Sequence, residues 1–479
     1  MKKRNFAKEY LPYVLFFAFG LVFLAKPISD MDEIWNFGFV SYITTGLRPY
    51  EDFNIIQTPL SAYIASVFLS LFGNNLLVFR ILSAVLFSLT FGILYSICYK
   101  IIDSKPMAFA VASFACAFCS QIWMYNYNHL VLLVILVVIF CEHQSENQEE
   151  SAAHNLYVII GLLFGLTPII KQSTGFVLIL YNTVFCLYKF TKKSAKRRYY
   201  ASRLITSLVP TVLFVLHLIV IGTFEEFYDY AVRGIQTFSH RESWFNYILS
   251  NPIDFVVGIF PICVTALSVY TICKGKSKVS KSFHVKVLLL CWAGRVVAYP
   301  ICDFVHACVA VVPFIIPLIC CINKLYLSRR DALACYLVAV MVLCCSSGLI
   351  IKELPNYKQC SLDHFERLPI SPNLEKQIQT VNTYIMDEGK NGVNVIIADE
   401  DAAAYMIPID RYYKNFNLLL VGNIGSNSIH DLLWRENAIY LVAKSETTMG
   451  KQAHRELVEY IKKNYIKIGE VSGFDAYAP

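Results

Sequence analysis

Charge is scarce in this chain. Only 16% of its 479 residues are Asp, Glu, Lys or Arg, against about 25% in an ordinary soluble protein. With 56% hydrophobic residues and a mean hydropathy of +0.50, this shortage excludes a soluble enzyme and points to a polytopic membrane protein. A concentrated basic tract is also missing. The net charge of +7 is spread over short blocks between apolar runs, so it is no signature of nucleic-acid binding. Neither an internal repeat nor a low-complexity tract is found. No small-residue cleavage site follows the apolar run Leu11–Ala25 behind Lys2, Lys3 and Arg4, so that run reads as a retained first span and not as a signal peptide. Cysteine is plentiful, at sixteen, but nearly all of it lies inside apolar runs. Even the CxxC spacing of Cys116 and Cys119 sits in ASFACAFCSQIW, where small apolar side chains between helices are expected, not a disulfide framework or a zinc site.

What is present is a series of apolar runs of membrane-spanning length. They fall near residues 11–27, 75–99, 106–124, 129–141, 156–170, 174–190, 204–222, 252–273, 286–301, 307–322 and 332–351. The thirteen-residue run Leu60–Phe72, bracketed by Pro59 and Gly73, is too short and reads as an interfacial or re-entrant helix. Charge asymmetry supports leaving it out. With the N-terminus inside, segments 1–10, 100–105, 142–155, 189–203, 274–286 and 323–331 are inner, and they hold half of the chain's 42 Lys and Arg, as the positive-inside rule requires. Counting Leu60–Phe72 as a span would turn KFTKKSAKRRYYASR outward. The expected fold is therefore an α-helical polytopic membrane protein with about 11 transmembrane helices plus interfacial helices. A membrane domain, 1–352, includes a first outer loop, 28–74. Residues 353–479 form a small extracytoplasmic α/β domain, with strands at Val393–Ala398 and Ala438–Ala443 and a helix at Lys451–Asn464.

Polar residues at the outer ends of these spans need an explanation, because charge at membrane depth is costly unless paired or facing a cavity. They are Arg80, the YNYNH group with Asn126, Asn128 and His129, Lys171 with Gln172, Arg295, and Asp303 with His306. The same side carries Asp32, Glu33 and Asp52 in the loop SDMDEIWNFGFVSYITTGLRPYEDFN. Such a set suits transfer chemistry on a lipid phosphate. Asp32 or Glu33 can act as general base, and Arg80, Lys171 and Arg295 can clamp a phosphate. Asn126, Asn128, His129 and Gln172 are substrate-binding or structural. Asp303 and His306, at i and i+3, can share a helical face and bind a divalent metal as cofactor or orient a substrate. Plainer readings stay open: Asp30, Asp32 and Asp52 as solvated or capping acids, Arg80 and Lys171 as snorkelling cations, Asp303 and His306 as a mutual pair, and His240-Arg241-Glu242 as solvated surface.

The order Asp32-Glu33, Gly46-x-x-Pro49-Tyr50-x-Asp52-Phe53, Pro59-Leu60-x-x-Tyr63, Leu71-Phe72-Gly73 and Arg80, followed by YNYNH, Lys171-Gln172-Ser173-x-Gly175 and Asp303-Phe304-x-His306, resembles the GT-C glycosyltransferases. Within them it is similar to bacterial members of the protein O-mannosyltransferase and aminoarabinose-transferase branch. The likeness covers roughly residues 1–350. It implies a catalytic acid in the first outer loop, matched by Asp32, with Glu33 in support and Asp52 as the second acid. It also implies a polyprenyl-phosphate-linked sugar donor. The His-Pro-Pro that follows the second acid in protein O-mannosyltransferases is absent, which leans the acceptor toward an envelope glycan or lipid over a protein. The expected activity is inverting transfer to an acceptor hydroxyl on the outer face of a bacterial plasma membrane. A transporter or flippase of a lipid-linked sugar, without chemistry, is the alternative; such proteins show repeated halves and midplane charges, and neither is seen here.

Overall fold

A computed structural model describes residues 6–29, 31–146, 150–192, 197–234, 244–299, 302–322, 328–352, 354–399, 401–416, 432–433, 436–444 and 455–479. In chain order the first helices are α1 (Phe6–Leu21), α2 (Met31–Thr44), α3 (Leu60–Phe72), α4 (Leu76–Ile102), α5 (Lys105–Phe118), α6 (Tyr127–Glu146), α7 (Glu150–Ile170), α8 (Gln172–Thr191) and α9 (Arg197–Val220). Further apolar helices cover Pro252–Cys273, Lys281–Gly294, Phe304–Val311, Ile315–Cys321 and Arg329–Ile351. Each expected span is thus helical. Among the described residues, eight helices are long and apolar enough to cross a membrane. The expected spans at 11–27, 106–124 and 286–301 fall short of that measure, because their regular helices run for only 16, 14 and 14 residues. The run Leu60–Phe72 is a helix of thirteen residues ended by Gly73 at φ 115°, a conformation that favours glycine.

The chain divides into two compact units. One holds residues 1–23, 81–217 and 241–350. Its helices meet at small residues: a Cβ on Gly161 would lie 2.0 Å from Thr206 Oγ1, and one on Gly165 would lie 2.6 Å from the Ser207 carbonyl oxygen. The Gly161-x-x-x-Gly165 stripe therefore lets α7 and α9 approach backbone to backbone, as small-residue pairs do in membrane helices. Thr211 Oγ1 donates to the Gly165 carbonyl at 2.9 Å across the same seam. Inside this unit lies a buried ionic cluster. Arg203 pairs with Glu142, while Lys286 Nζ reaches Glu142 Oε2 at 2.9 Å and Glu146 Oε1 at 3.2 Å. Asn182 Oδ1 accepts from Arg203 Nε at 2.6 Å. One buried acid, Glu142, is thus shared by two buried cations, and the exposed Glu146 supplies the second negative charge at the cluster's edge.

The other unit holds residues 24–80, 218–240 and 351–479. A four-stranded sheet has the order β3-β4-β6-β5, built from β3 (Asn394–Ile397), β4 (Ala438–Ala443), β5 (Ile466–Val471) and β6 (Phe474–Ala478). A two-stranded ribbon of β1 (Lys358–Gln359) and β2 (Pro369–Ile370) precedes it. Strands β3 and β4 are parallel, with Ile397 opposite Leu441; β6 runs antiparallel to both β4 and β5. Tyr440, Val442, Ile396 and Tyr477 supply the sheet side of the core, against Leu457 and Ile461 of the helix Arg455–Asn464. The two strands expected from sequence are found; of the expected helix Lys451–Asn464, the first four residues lie outside the described ones.

Candidate active site

Helix α2 opens the loop unit. Its first turn carries Asp32 and Glu33, where carboxylates are favoured by the unsatisfied N–H groups of a helix start. Asp30 lies outside the described residues. Neighbours on a helix point about 100° apart, and these two acids part company accordingly: Asp32 is exposed and Glu33 is fully buried. Glu33 meets Arg80 in a two-pronged ion pair, Nε to Oε1 and Nη2 to Oε2, each 2.7 Å. Arg80 Nη1 also donates to the carbonyl oxygens of Lys26 and, at 3.5 Å, Leu24. The guanidinium, 1% exposed, thus meets protein acceptors along both edges. These contacts tie the start of α4 to α2 and to the chain before it. A donor phosphate, the use expected for Arg80, is not what they hold.

Asp52 closes a turn. Its Oδ2 accepts from the Arg48 backbone N–H at 2.8 Å, while Arg48 Nη1 reaches Glu51 Oε2 at 2.9 Å. Tyr50, at φ 72°, is buried and donates its hydroxyl to the Gln57 carbonyl at 3.0 Å. Burial pushes its phenol well above the usual range, which keeps it a donor. Phe53 stacks on Phe39 at 6.0 Å and meets Tyr42 edge-on at 5.3 Å. The Pro49-Tyr50-x-Asp52-Phe53 pattern is therefore a tight turn, in which Asp52 bonds the backbone of Arg48.

In the membrane unit, Lys171 sits in the break between α7 and α8, with extended backbone at φ −148° and ψ 108°. It is 5% exposed. Its ammonium donates to Asn128 Oδ1 at 2.8 Å and to the Val297 carbonyl at 2.6 Å, and lies 5.3 Å from the centre of the Tyr127 ring. An ammonium has three N–H donors, so two are used in these hydrogen bonds. Gln172 begins α8. Asn126 caps α6, its Oδ1 accepting from His129 N at 2.9 Å, and His129 Nε2 lies 3.1 Å from Thr90 Oγ1 with its ring edge-on to Phe87. The YNYNH group is thus divided: Asn128 faces Lys171, whereas Asn126 and His129 build the helix start.

Arg295 lies over two indoles, its guanidinium carbon 3.6 Å from the Trp244 ring centre and 4.9 Å from that of Trp292. Asp303 caps the helix Phe304–Val311: its Oδ1 accepts from the His306 backbone N–H at 2.8 Å and lies 2.8 Å from His306 Nδ1. The pair satisfies itself. Among the described residues no group of three or more His, Cys, Asp or Glu is gathered, and the described contact of Asp303 and His306 is with each other. His240-Arg241-Glu242 lies outside the described residues.

The sequence reading missed Glu142, Arg203 and Lys286. A signal was there, since Glu142 follows an unbroken apolar run, Leu130–Cys141, but residues 142–155 read as an inner loop. In fact α6 continues to Glu146 and α7 starts at Glu150, so Glu142 is still inside the bundle.

Residues 56–219 match a family model described as dolichyl-phosphate-mannose-protein mannosyltransferase. No curated protein matches the chain in sequence. Among solved structures, ArnT from Cupriavidus metallidurans bound to undecaprenyl phosphate is similar, with TM-score 0.62 at 11% identity, covering 99% of this chain and 98% of that one. Its apo state gives 0.63 at 12%, covering 97% of each. The arabinofuranosyltransferase AftD from Mycobacteria gives 0.53 at 10% over 98% of this chain, which spans 40% of that longer protein. The chain is a multi-pass membrane protein, and its fold is that of ArnT, a GT-C fold.

Proposed function

We propose that the protein moves a hexosyl or pentosyl group from a polyprenyl-phosphate-linked donor to an acceptor hydroxyl, with inversion at the anomeric carbon. The reading rests above all on the placement of two adjacent acids: Glu33 is buried against Arg80, while Asp32 is exposed at the head of α2. Support for the donor comes from the family description and from ArnT having been captured with undecaprenyl phosphate. Asp32 accepts the acceptor's hydroxyl proton. The freed oxygen attacks the anomeric carbon, the bond from that carbon to the phosphate oxygen breaks, and the polyprenyl phosphate leaves with the electron pair. Lys171 is assigned to the donor phosphate, as a point charge with a third N–H to give, and Arg295 is a second candidate. The acceptor is an envelope glycan, lipid or protein. In this reading the membrane is a bacterial plasma membrane, with the N-terminus inside and residues 353–479 outside.

Membranes carrying the full chain, supplied with radiolabelled lipid-linked sugars and an envelope extract, test it. Asp32→Asn should abolish label transfer at unchanged protein level, and Lys171→Met should raise the donor KM. Full transfer by Asp32→Asn removes Asp32 as base.

A further inference from the structure

The start of α4 and the loop after β1 enclose a cavity of about 330 Å³ lined by Asn75, Leu77, Val78, Glu366 and Arg367. All five belong to the loop unit. The lining is chemically mixed, with one guanidinium, one carboxylate, one amide, two aliphatic side chains and no aromatic ring. Glu366 Oε2 accepts from Asn75 Nδ2, but no cation among the described residues pairs with Glu366, and none of them forms a hydrogen bond or ion pair with the Arg367 side chain. The loop is fixed in place by its backbone: Leu76 N donates to the His364 carbonyl at 2.8 Å and Arg367 N to the Cys360 carbonyl at 3.2 Å. Two opposite charges therefore line one preformed space without meeting each other.

The setting is the edge of a membrane. Helix α4 has 27 residues, about 40 Å at 1.5 Å per residue, against a hydrocarbon core of about 30 Å. About 10 Å of helix is therefore left for the headgroup layers, and Leu77 and Val78 stand in its first turn. Just before it, α3 exposes Ile64, Val67, Leu71 and Phe72 at 44, 62, 72 and 63%, an apolar face suited to the same interfacial layer.

We propose that this cavity binds the headgroup of a phospholipid that carries a primary amine, of the phosphatidylethanolamine class. The phosphate lies on Arg367, the ammonium on Glu366, and the glycerol and first acyl carbons on Leu77 and Val78. Arg is the natural partner of a phosphate. A purely anionic headgroup leaves Glu366 facing like charge, a choline headgroup offers it no N–H donor, and a sugar finds no ring to stack on.

The full chain, purified in detergent and offered equal amounts of phosphatidylethanolamine, phosphatidylglycerol and phosphatidylcholine, tests this by native mass spectrometry. Phosphatidylethanolamine adducts should dominate. Arg367→Ala should weaken them about tenfold or more, the worth of a charged hydrogen bond. Glu366→Gln keeps an oxygen for Asn75 and should bind phosphatidylethanolamine and phosphatidylcholine alike. Lack of preference in the parent protein, or an unchanged preference in Glu366→Gln, overturns the proposal. Gel filtration checks folding, and where Arg367→Ala aggregates, the Glu366→Gln comparison decides.

Discussion

Two adjacent acids, Asp32 and Glu33, show how much one helical step is worth. Glu33 lies in a dry pocket with Arg80, and a buried pair of this kind is far costlier to break than to replace. Glu33→Leu or Arg80→Met alone should therefore destabilise the protein by about 3–5 kcal/mol. The double replacement Glu33→Leu with Arg80→Met should recover much of that loss, as a double-mutant cycle on the thermal midpoint in detergent will show. Additive losses would mean that the pair is not coupled. The sequence announces the acids but not their division of labour. Both fit a helix start, and only the burial of one face, set by chain far away, decides which acid is buried against Arg80. The same holds for Asp303 and His306, whose i, i+3 spacing suits a shared ligand as well as the capping pair they form.

Helices were the legible level. Hydropathy alone places a helix at each expected run, with ends off by up to about seven residues, since a long apolar run in a membrane is stable only as a helix. Pro59 and Gly73 mark the ends of α3 for plain backbone reasons. Ends bearing a buried charge were not legible, because a charged residue reads as loop until its partners are known, and Glu142 finds Arg203 and Lys286 on two other helices. The seam between α7 and α9 gives a test at this scale. Gly161→Val puts methyl groups where Thr206 Oγ1 and the Arg203 carbonyl oxygen already stand, 2.0 and 2.4 Å from a Cβ. Overpacking of this kind costs about 1–3 kcal/mol, and the thermal midpoint should fall, whereas Gly348→Ala, with nothing within 4 Å, should leave it in place.

On the scale of the whole molecule, the loop unit is assembled from stretches that are distant in sequence. Strands β3 and β4 were legible as short apolar runs. Strands β5 and β6 were not, because β5 is mostly exposed, its Ile466 and Ile468 included, and β6 is only five residues long. Nor does any local pattern announce that Asn54 will bond Asn415, or Ile28 the Pro369 carbonyl. The ribbon of β1 and β2 is tied to the helix Pro372–Lys390 by Glu375, which accepts from Ser361 N and Oγ at 2.7 and 2.8 Å and pairs with Lys358. Burial alone would raise this carboxyl, but Lys358 and Ser361 outweigh it and hold it below its ordinary 4.5. A depressed value in the folded state means stability that is present above about pH 4.5 and is lost as pH falls toward the folded value. Hydrogen-exchange protection of residues 358–390 should therefore decline in acid, and Glu375→Gln should flatten that decline.

The scattered make-up of the loop unit also sets a timetable for biosynthesis. Residues 24–80 emerge early, yet their partners Pro369, Glu366 and Asn415 lie some 300 positions later. At 5–20 residues per second, the ribosome needs roughly 15–60 s to supply them. For that interval the early segment, with Asp32 in it, exists without the surface that completes it. The last quarter of the chain thus acts as the closing piece of the molecule's first loop, and a nascent protein stopped before residue 351 has its spans but not that loop's fold.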